Sequence, residues 1–223
     1  MIQWVYERSS QARSLSDVVV ATDDIRILEA VRSFGGQALM TSSKHRSGTD
    51  RVAEVAGQVE SDVFVNIQGD EPLISPKTID AVCQPFREDP ELLLSTARVE
   101  LHEASEIATP HNVKVVTDRA GKALYFSRHP VPYLWDGSGR YFKHLGIYGY
   151  RRELLRGLEE IPVSELEKTE RLEQLRFLES GIAIQVVTVN EDSVGVDTEE
   201  DLERVRPLLE NLASKEVQSH TGR

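Results

Sequence analysis

Apolar and polar positions recur along the chain in two periods, and the switches between them divide it into elements. Apolar residues three and four apart put Ile2, Val5 and Tyr6 on one face of a helix over residues 2–12. A β-branched run follows, Asp17-Val18-Val19-Val20-Ala21-Thr22, the pattern of a buried strand. Asp23-Asp24 opens a helix over residues 25–31 that closes at Gly35-Gly36. A short strand at 37–40, a polar loop at 41–48 and a helix at 49–59 come next. A second buried strand begins at Val63 and stops abruptly at Gln68-Gly69-Asp70-Glu71-Pro72. Ser75-Pro76 then joins a capping residue to a proline suited to the first helical position, and the helix runs to about Phe86.

This alternation predicts a doubly wound, mostly parallel sheet in a single α/β domain over residues 1–213. The rhythm changes over residues 92–150. A strand at 92–99 lacks a full crossover helix. Residues 113–116 and 123–126 flank Asp118-Arg119-Ala120-Gly121 as a hairpin, and 142–150 is a further strand. This stretch reads as a small antiparallel arm. Ser164-Glu165-Leu166-Glu167 is a capping box for a helix to Leu178, closed by Gly181. A strand at 182–189 and a helix at 199–212 follow, and residues 214–223 form a polar tail expected to be flexible.

Charge narrows the possible partners. The formal net charge of -11 argues against a nucleic-acid backbone, while leaving room for a phosphate ligand in a local basic pocket. A single cysteine, Cys83, excludes an intrachain disulfide and fits a reducing, cytoplasmic setting. It lies among Ile79, Val82 and Phe86 at helical spacing and reads as core. No stretch is apolar enough to insert in a membrane, and the opening residues carry no cleavage-site pattern.

Four stretches could carry chemistry. Asp70 and Glu71 lie just past a strand end, where open parallel sheets bind ligands, and an acidic pair there suits a hard cation such as Mg²⁺. The alternative is a turn that caps the next helix. Asp197, in Val194-Gly195-Val196-Asp197-Thr198, occupies a second strand-to-helix junction and, taken alone, reads more readily as a helix cap than as a metal ligand. Lys44-His45-Arg46-Ser47-Gly48-Thr49-Asp50-Arg51 gathers cations, hydroxyls and a glycine at a helix N-terminus, which suits a nucleotide phosphate. Finally, Arg128 and His144 fall near strand ends, where Arg can fork onto a substrate carboxylate. The stretch Glu170-Arg171-Leu172-Glu173-Gln174-Leu175-Arg176 reads on its own as a solvated, ion-paired helix face.

Taken in order, the segments Val20 to Asp24, Ser47 to Arg51, Asn66 to Pro72, Asn112 to Lys114, Ala123 to Arg128, His144 to Tyr150, Leu172 to Arg176 and Gly195 to Leu202 resemble one family, the 3-deoxy-manno-octulosonate cytidylyltransferases. The resemblance implies a nucleotidyltransferase-like, Rossmann-type fold with a dimerisation arm, and a homodimer. It implies Mg²⁺-dependent transfer of CMP from CTP to Kdo (3-deoxy-manno-octulosonate), releasing pyrophosphate, for lipopolysaccharide biosynthesis. By the same match Asp70 and Asp197 hold the metal, Ser47, Arg51 and Gln68 surround the nucleotide, and Arg128, His144, Tyr148, Glu173 and Gln174 line the sugar-acid pocket. An anionic sugar in an acidic protein calls for local Arg and His. Two other readings stay open: activation of another 2-keto sugar acid such as sialic acid, or a non-catalytic dimerising remnant. Family members open with a strand and a loop rich in Arg, Ser, Gly and Lys ahead of the segment matched by Met1-Ile2. The expectation is that residues 1–223 lack triphosphate contacts, and that apolar sheet edges lie beside Val18-Val19-Val20 and Val63-Phe64-Val65.

Overall fold

The computed structural model describes residues 1–196 and 198–220, with side chains described through residue 211. Asp197, one of the two expected metal ligands, lies outside the described residues.

Helix α1 (Ile2–Ser9) leads to strand β1 (Val19–Thr22), α2 (Ile25–Ser33) and β2 (Gln37–Met40). Asp24 caps α2 by accepting from the Arg26 amide, as its place before the first apolar turn predicts. Then come α3 (Gly48–Gln58), β3 (Val63–Asn66), α4 (Pro76–Cys83) and α5 (Pro85–Glu88). One continuous helix was expected up to Phe86. Pro85 has no N–H to continue the ladder, so the helix is re-started there. The arm consists of β4 (Leu94–Leu101), α6 (Ala104–Ala108), β5 (Lys114–Thr117), β6 (Ala123–Ser127) and β7 (Tyr141–Arg151). The chain ends in α7 (Arg152–Arg156), α8 (Glu165–Glu170), α9 (Gln174–Glu179), β8 (Ile184–Val189) and α10 (Glu199–His220).

The capping box at Ser164 and Glu167 forms as the sequence implies, with both reciprocal bonds made. The helix behind it was expected to run to Leu178 but breaks at Arg171, in the left-handed region at φ 54. The Arg128 guanidinium donates to the Glu170 and Arg171 carbonyls, which satisfies acceptors that the helix end leaves open. At the other end, α10 extends past residue 214, where a flexible tail was expected. Lys215, Glu216 and Gln218 are good helix formers, and the first glycine beyond them is Gly222.

The main sheet has the order β6-β5-β7-β4-β8, with β3 on the other part of β7. Because β3 and β4 both run antiparallel to β7, and β8 runs parallel to β4, the three strands β3, β4 and β8 share one direction. Strand β7 is the reversed element between them, and its ladder slips at Thr96/Ala97. The sheet therefore buries both faces. Phe64, Leu94, Val115, Phe126 and Tyr150 pack towards α3, α7 and α9. Ile79, Val82, Ala97, Leu145 and Ile147 pack towards α4 on the opposite side, with Val65 and Ile67. Phe64 and Val65 fall to opposite faces, as the period of two requires. Cys83 belongs to the second cluster, and burial pushes its thiol up to about 11, so it stays a neutral core residue.

Candidate active site

The N-terminus of α3 is the hub of the site. Ser47 caps it in extended conformation (φ -141, ψ 163), its hydroxyl accepting from the Asp50 amide at 3.1 Å. Gly48 brings the backbone against β3. A Cβ there would stand 3.3 Å from Asn66 Nδ2 and 3.4 Å from Gln68 Nε2, closer than a side chain tolerates without displacing them. Ser47 and Gln68, expected around a nucleotide, are thus brought together with the open N–H groups of the helix. Arg51, one turn in, reaches Asp23 at 3.1 Å and the Thr41 hydroxyl, which ties the ends of β1 and β2 to the same place.

Asp70 follows at the end of this strand-and-turn segment. Its carbonyl accepts from the Val196 amide at 2.8 Å, so the stretch leading to residue 197 is laid along the acidic turn. The two acids of that turn part company. Asp70 is half-buried, while burial holds the Glu71 carboxyl above its usual range, opposed by a 2.7 Å bond from the Ser193 hydroxyl and reinforced by the Asp70 charge. Lys143 closes this corner through Asp192 Oδ1 at 2.9 Å and the Ser193 carbonyl at 3.3 Å. Glu71 is therefore a structural acceptor for the 192–196 segment.

The second group stands on the α3 side of the sheet. Tyr148 stacks on Tyr150 with centroids 5.8 Å apart, and His144 lies 5.3 Å from Tyr148 and 4.9 Å from Phe126. The Tyr150 hydroxyl meets Thr49 Oγ1 at 3.1 Å, which joins this group to the first turn of α3. Glu173 acts electrostatically on both tyrosines, raising their phenol pKa values further beyond what burial already does. Gln174 and Arg176 are buried, which corrects the expectation of a solvated face across residues 170–176.

Two of the expected sugar-pocket residues arrive in a different chemical state from that assumed. His144 is buried and its pKa falls to about 3, from desolvation first and the neighbouring Lys143 charge second. It is a neutral imidazole and supplies no positive charge. Thr96 Oγ1 lies 2.8 Å from the Ile147 carbonyl and 2.9 Å from His144 Nε2. The single hydroxyl proton goes to the carbonyl, so Nε2–H donates to Thr96 and Nδ1 carries the lone pair. Arg128 donates from Nε to the Glu170 carbonyl at 2.7 Å, from one terminal nitrogen to Pro110 at 3.1 Å and from the other to Arg171 at 3.3 Å. At most two of its five N–H groups are left for a substrate.

Lys114 has no counterpart among the expected site residues. Its side chain is wholly buried, and its ammonium donates to the carbonyls of Thr109 at 2.9 Å, Asn112 at 2.5 Å and Arg128 at 2.6 Å. It fixes the loop that carries Arg128. Lys114→Met is expected to destabilise the fold by roughly 2–3 kcal/mol, because three part-buried carbonyls lose a charged donor. Chemical denaturation measures this, and a change below about 0.5 kcal/mol, the range of ordinary surface substitutions, would show that water replaces the ammonium.

Comparison with known proteins places this geometry. The family model described as cytidylyltransferase matches residues 1–186. A 3-deoxy-manno-octulosonate cytidylyltransferase of Solibacter usitatus (strain Ellin6076) is 50% identical over 94% of this chain and 84% of its own length. The enzyme of that name from Geobacter sulfurreducens (strain ATCC 51573 / DSM 12127 / PCA) is 48% identical over 94% and 88% respectively. Among solved structures, a CMP:2-keto-3-deoxy-manno-octonic acid synthetase complexed with CTP superposes with a TM-score of 0.91, at 46% identity over 94% of this chain and 87% of that one. A glucose-1-phosphate thymidylyltransferase from Bacillus anthracis shares the fold alone, at 15% identity and a TM-score of 0.64.

Proposed function

Since the chain belongs to the cytidylyltransferase family, and within it to the 3-deoxy-manno-octulosonate cytidylyltransferases, we propose that it transfers CMP from CTP to Kdo with release of pyrophosphate, in lipopolysaccharide biosynthesis. The observation that carries the reading is the Thr49–Tyr150 bond, because it sets an anion-binding helix end beside a buried aromatic and carboxylate pocket. Ser47, Arg51 and Gln68 lie around the nucleotide at the N-terminal end of α3. Tyr148, Glu173, Gln174 and the neutral His144 surround the sugar, and Arg128 takes its carboxylate with whatever N–H groups the loop carbonyls leave. Transfer at phosphorus consists mostly of positioning and charge neutralisation, so these contacts are the catalytic contribution of the chain.

Magnesium is a fitting cofactor by donor chemistry. It binds through one or two carboxylates and leaves the other positions to water and phosphate oxygens. Asp70, half-buried just past a strand end, offers one such carboxylate. Asp70, with Asp197, would hold the ion, whose chemistry is to neutralise phosphate charge as it develops. We also assign a homodimer, supported by the exposed aromatic pair Tyr133 (82% exposed) and Trp135 (91% exposed) on the arm. A cytoplasmic site agrees with the lone buried cysteine, and no described helix is long and apolar enough to cross a membrane.

The test is release of pyrophosphate from CTP and Mg²⁺ with Kdo, run beside sialic acid. Kdo is expected to be the faster acceptor, and Asp70→Asn is expected to lower turnover by about 100-fold or more. Preference for sialic acid would overturn the substrate, and an Asp70→Asn enzyme of unchanged rate would remove the metal assignment.

A further inference from the structure

Arg128, the residue that follows β6, is held at its amide, its carbonyl and its side chain. The Arg128 N–H donates to Glu170 Oε2 at 2.9 Å, and its carbonyl accepts from the buried Lys114 ammonium at 2.6 Å. Its guanidinium donates to the carbonyls of Glu170, Pro110 and Arg171. Glu170 enters this set twice, through its carboxylate and through its backbone. The second carboxylate oxygen accepts from the Ser127 hydroxyl at 2.7 Å and lies 3.5 Å from the Tyr125 hydroxyl. Ser127 is buried, and its Oγ accepts in turn from the His129 N–H at 3.0 Å. One carboxylate therefore fixes three successive residues of the turn, Ser127 and Arg128 directly and His129 through the Ser127 hydroxyl.

Helix propensity does not place an acid there. Glu170 is the last residue of α8, at the end where the helix dipole favours cations. The donors that offset this come from Ser127 and Arg128, more than forty positions back along the chain. The neighbouring charges match the arrangement. Burial lowers the Lys114 pKa, and the Glu170 charge opposes this while the Arg128 charge adds to it. The place of Glu170 in the chain gives the clamp its reach. After the left-handed Arg171 comes Leu172, sunk in the core, and then Glu173 and Gln174 at the start of α9. Glu170 thus stands within four positions of two expected pocket residues and in direct contact with a third.

We propose that Glu170 is a positioning residue of the sugar-acid pocket, whose carboxylate holds the turn of residues 127–129, and with it the Arg128 guanidinium, fixed against the start of α9. The identity of the ligand, a sugar carboxylate, rests on the assigned reaction; the clamp itself does not. Glu170 touches no reacting atom and acts through Arg128. With three of the five guanidinium N–H groups given to carbonyls, one is left on each terminal nitrogen, and these two form an end-on fork for a carboxylate. Such a fork works only if its base is fixed. Without the Glu170 carboxylate the Arg128 N–H and the Ser127 hydroxyl lose their acceptor, and the turn is tied at its main chain by Lys114 alone. A grip on a substrate group remote from the phosphorus is made equally in the ground state and the transition state, so its loss appears in KM and not in kcat.

Glu170→Ala and Glu170→Gln test this together. The Gln amide oxygen can still accept from the Arg128 N–H, and its nitrogen can donate to the Ser127 oxygen, so the second variant restores the clamp without the charge. Hydrogen exchange reads the clamp without any turnover. The Ala variant is expected to exchange about tenfold faster at the Arg128 and His129 amides with β4 unchanged, and the Gln variant to stay within about threefold of the parent. Initial rates read the function. The Ala variant is expected to raise the KM for Kdo about tenfold, with kcat and the KM for CTP within about twofold of the parent, and the Gln variant to recover most of the loss. Unchanged exchange at Arg128 and His129 would overturn the proposal. So would a KM for Kdo that stays at the parent value while the turn loosens, since the role would then be structural alone, or an equal rise in both KM values, the mark of a general loss of structure. A parent chain that turns over no sugar acid would overturn the assigned reaction, and the exchange rates would still decide the clamp.

Discussion

Arg176→Met is expected to lower the unfolding free energy by roughly 3–5 kcal/mol, the cost of breaking a buried ion pair from one side. The Arg176 side chain is 9% exposed and that of Glu167 is 13% exposed. The contact is a two-pronged fork, with Nε donating to Oε2 at 2.8 Å and a terminal nitrogen donating to Oε1. Burial by itself would lower the arginine pKa, but the bond to Glu167 and the charges of Glu173 and Glu167 outweigh it, so the net direction is upward. Removing the guanidinium leaves a carboxylate with little water, and the same carboxylate serves the capping box at Ser164. Both α8 and α9 lose their common anchor, and with them the placement of Glu173 and Gln174. Urea unfolding should show a lower midpoint with an unchanged slope. The exposed pair Lys168–Glu165, 57% and 84% exposed, provides the contrast, since Lys168→Ala is expected to change stability by no more than about 0.5 kcal/mol. Equal effects from the two substitutions would mean that water reaches the Arg176 pair.

That pair also marks where reading the chain as a string of local patterns stops. Elements announced by neighbouring residues were legible: the Asp24 and Ser75 caps, the Ser164 box and the β-branched strands. The ends of elements were legible, because strand ends and helix starts are local features, and Ser47 does stand at a helix start while Gln68 and Asp70 follow a strand end. What failed depends on partners far along the chain. The charges across residues 170–176 look like a solvated face until α9 is packed under the sheet, which buries Arg176 and Gln174. Arg171 turns left-handed where its carbonyl accepts from Arg128, more than forty positions away. The Thr49–Tyr150 bond, which unites the two halves of the site, spans 101 positions and leaves no periodic trace. The same holds for Lys114, whose two nearer acceptors lie in its own loop but whose third, at Arg128, comes from another strand end. The resemblance implied that Arg and His near strand ends would receive an anionic sugar, whereas His144 is a buried histidine whose charge burial removes.

The neutrality of His144 has a measurable price in acid. Its pKa is about 3 in the folded chain against an ordinary value of 6.5, with desolvation the main cause and Lys143 the second. Its backbone amide is bound to the Val113 carbonyl at 2.8 Å, and Thr96, Phe126 and Tyr148 surround the ring. Below pH 6.5 the unfolded chain takes up a proton that the folded chain refuses until about pH 3. The unfolded state then binds more protons, so stability falls as the pH drops through that window and is fully present above it. At about 1.4 kcal/mol per unit, the whole window amounts to roughly 4–5 kcal/mol, and the step from pH 7 to pH 5 to about 2 kcal/mol. Glu71 works the other way. Its folded pKa is raised, so it favours the folded state as the pH falls, and the raw curve mixes the two. The isolating measurement is therefore the difference between the parent chain and His144→Gln, whose amide can still donate to Thr96. The variant is expected to lose about 2 kcal/mol less than the parent between pH 7 and pH 5 in matched urea titrations. Parallel curves would show that the imidazole accepts its proton in place, and then His144 could meet the sugar acid as a cation after all.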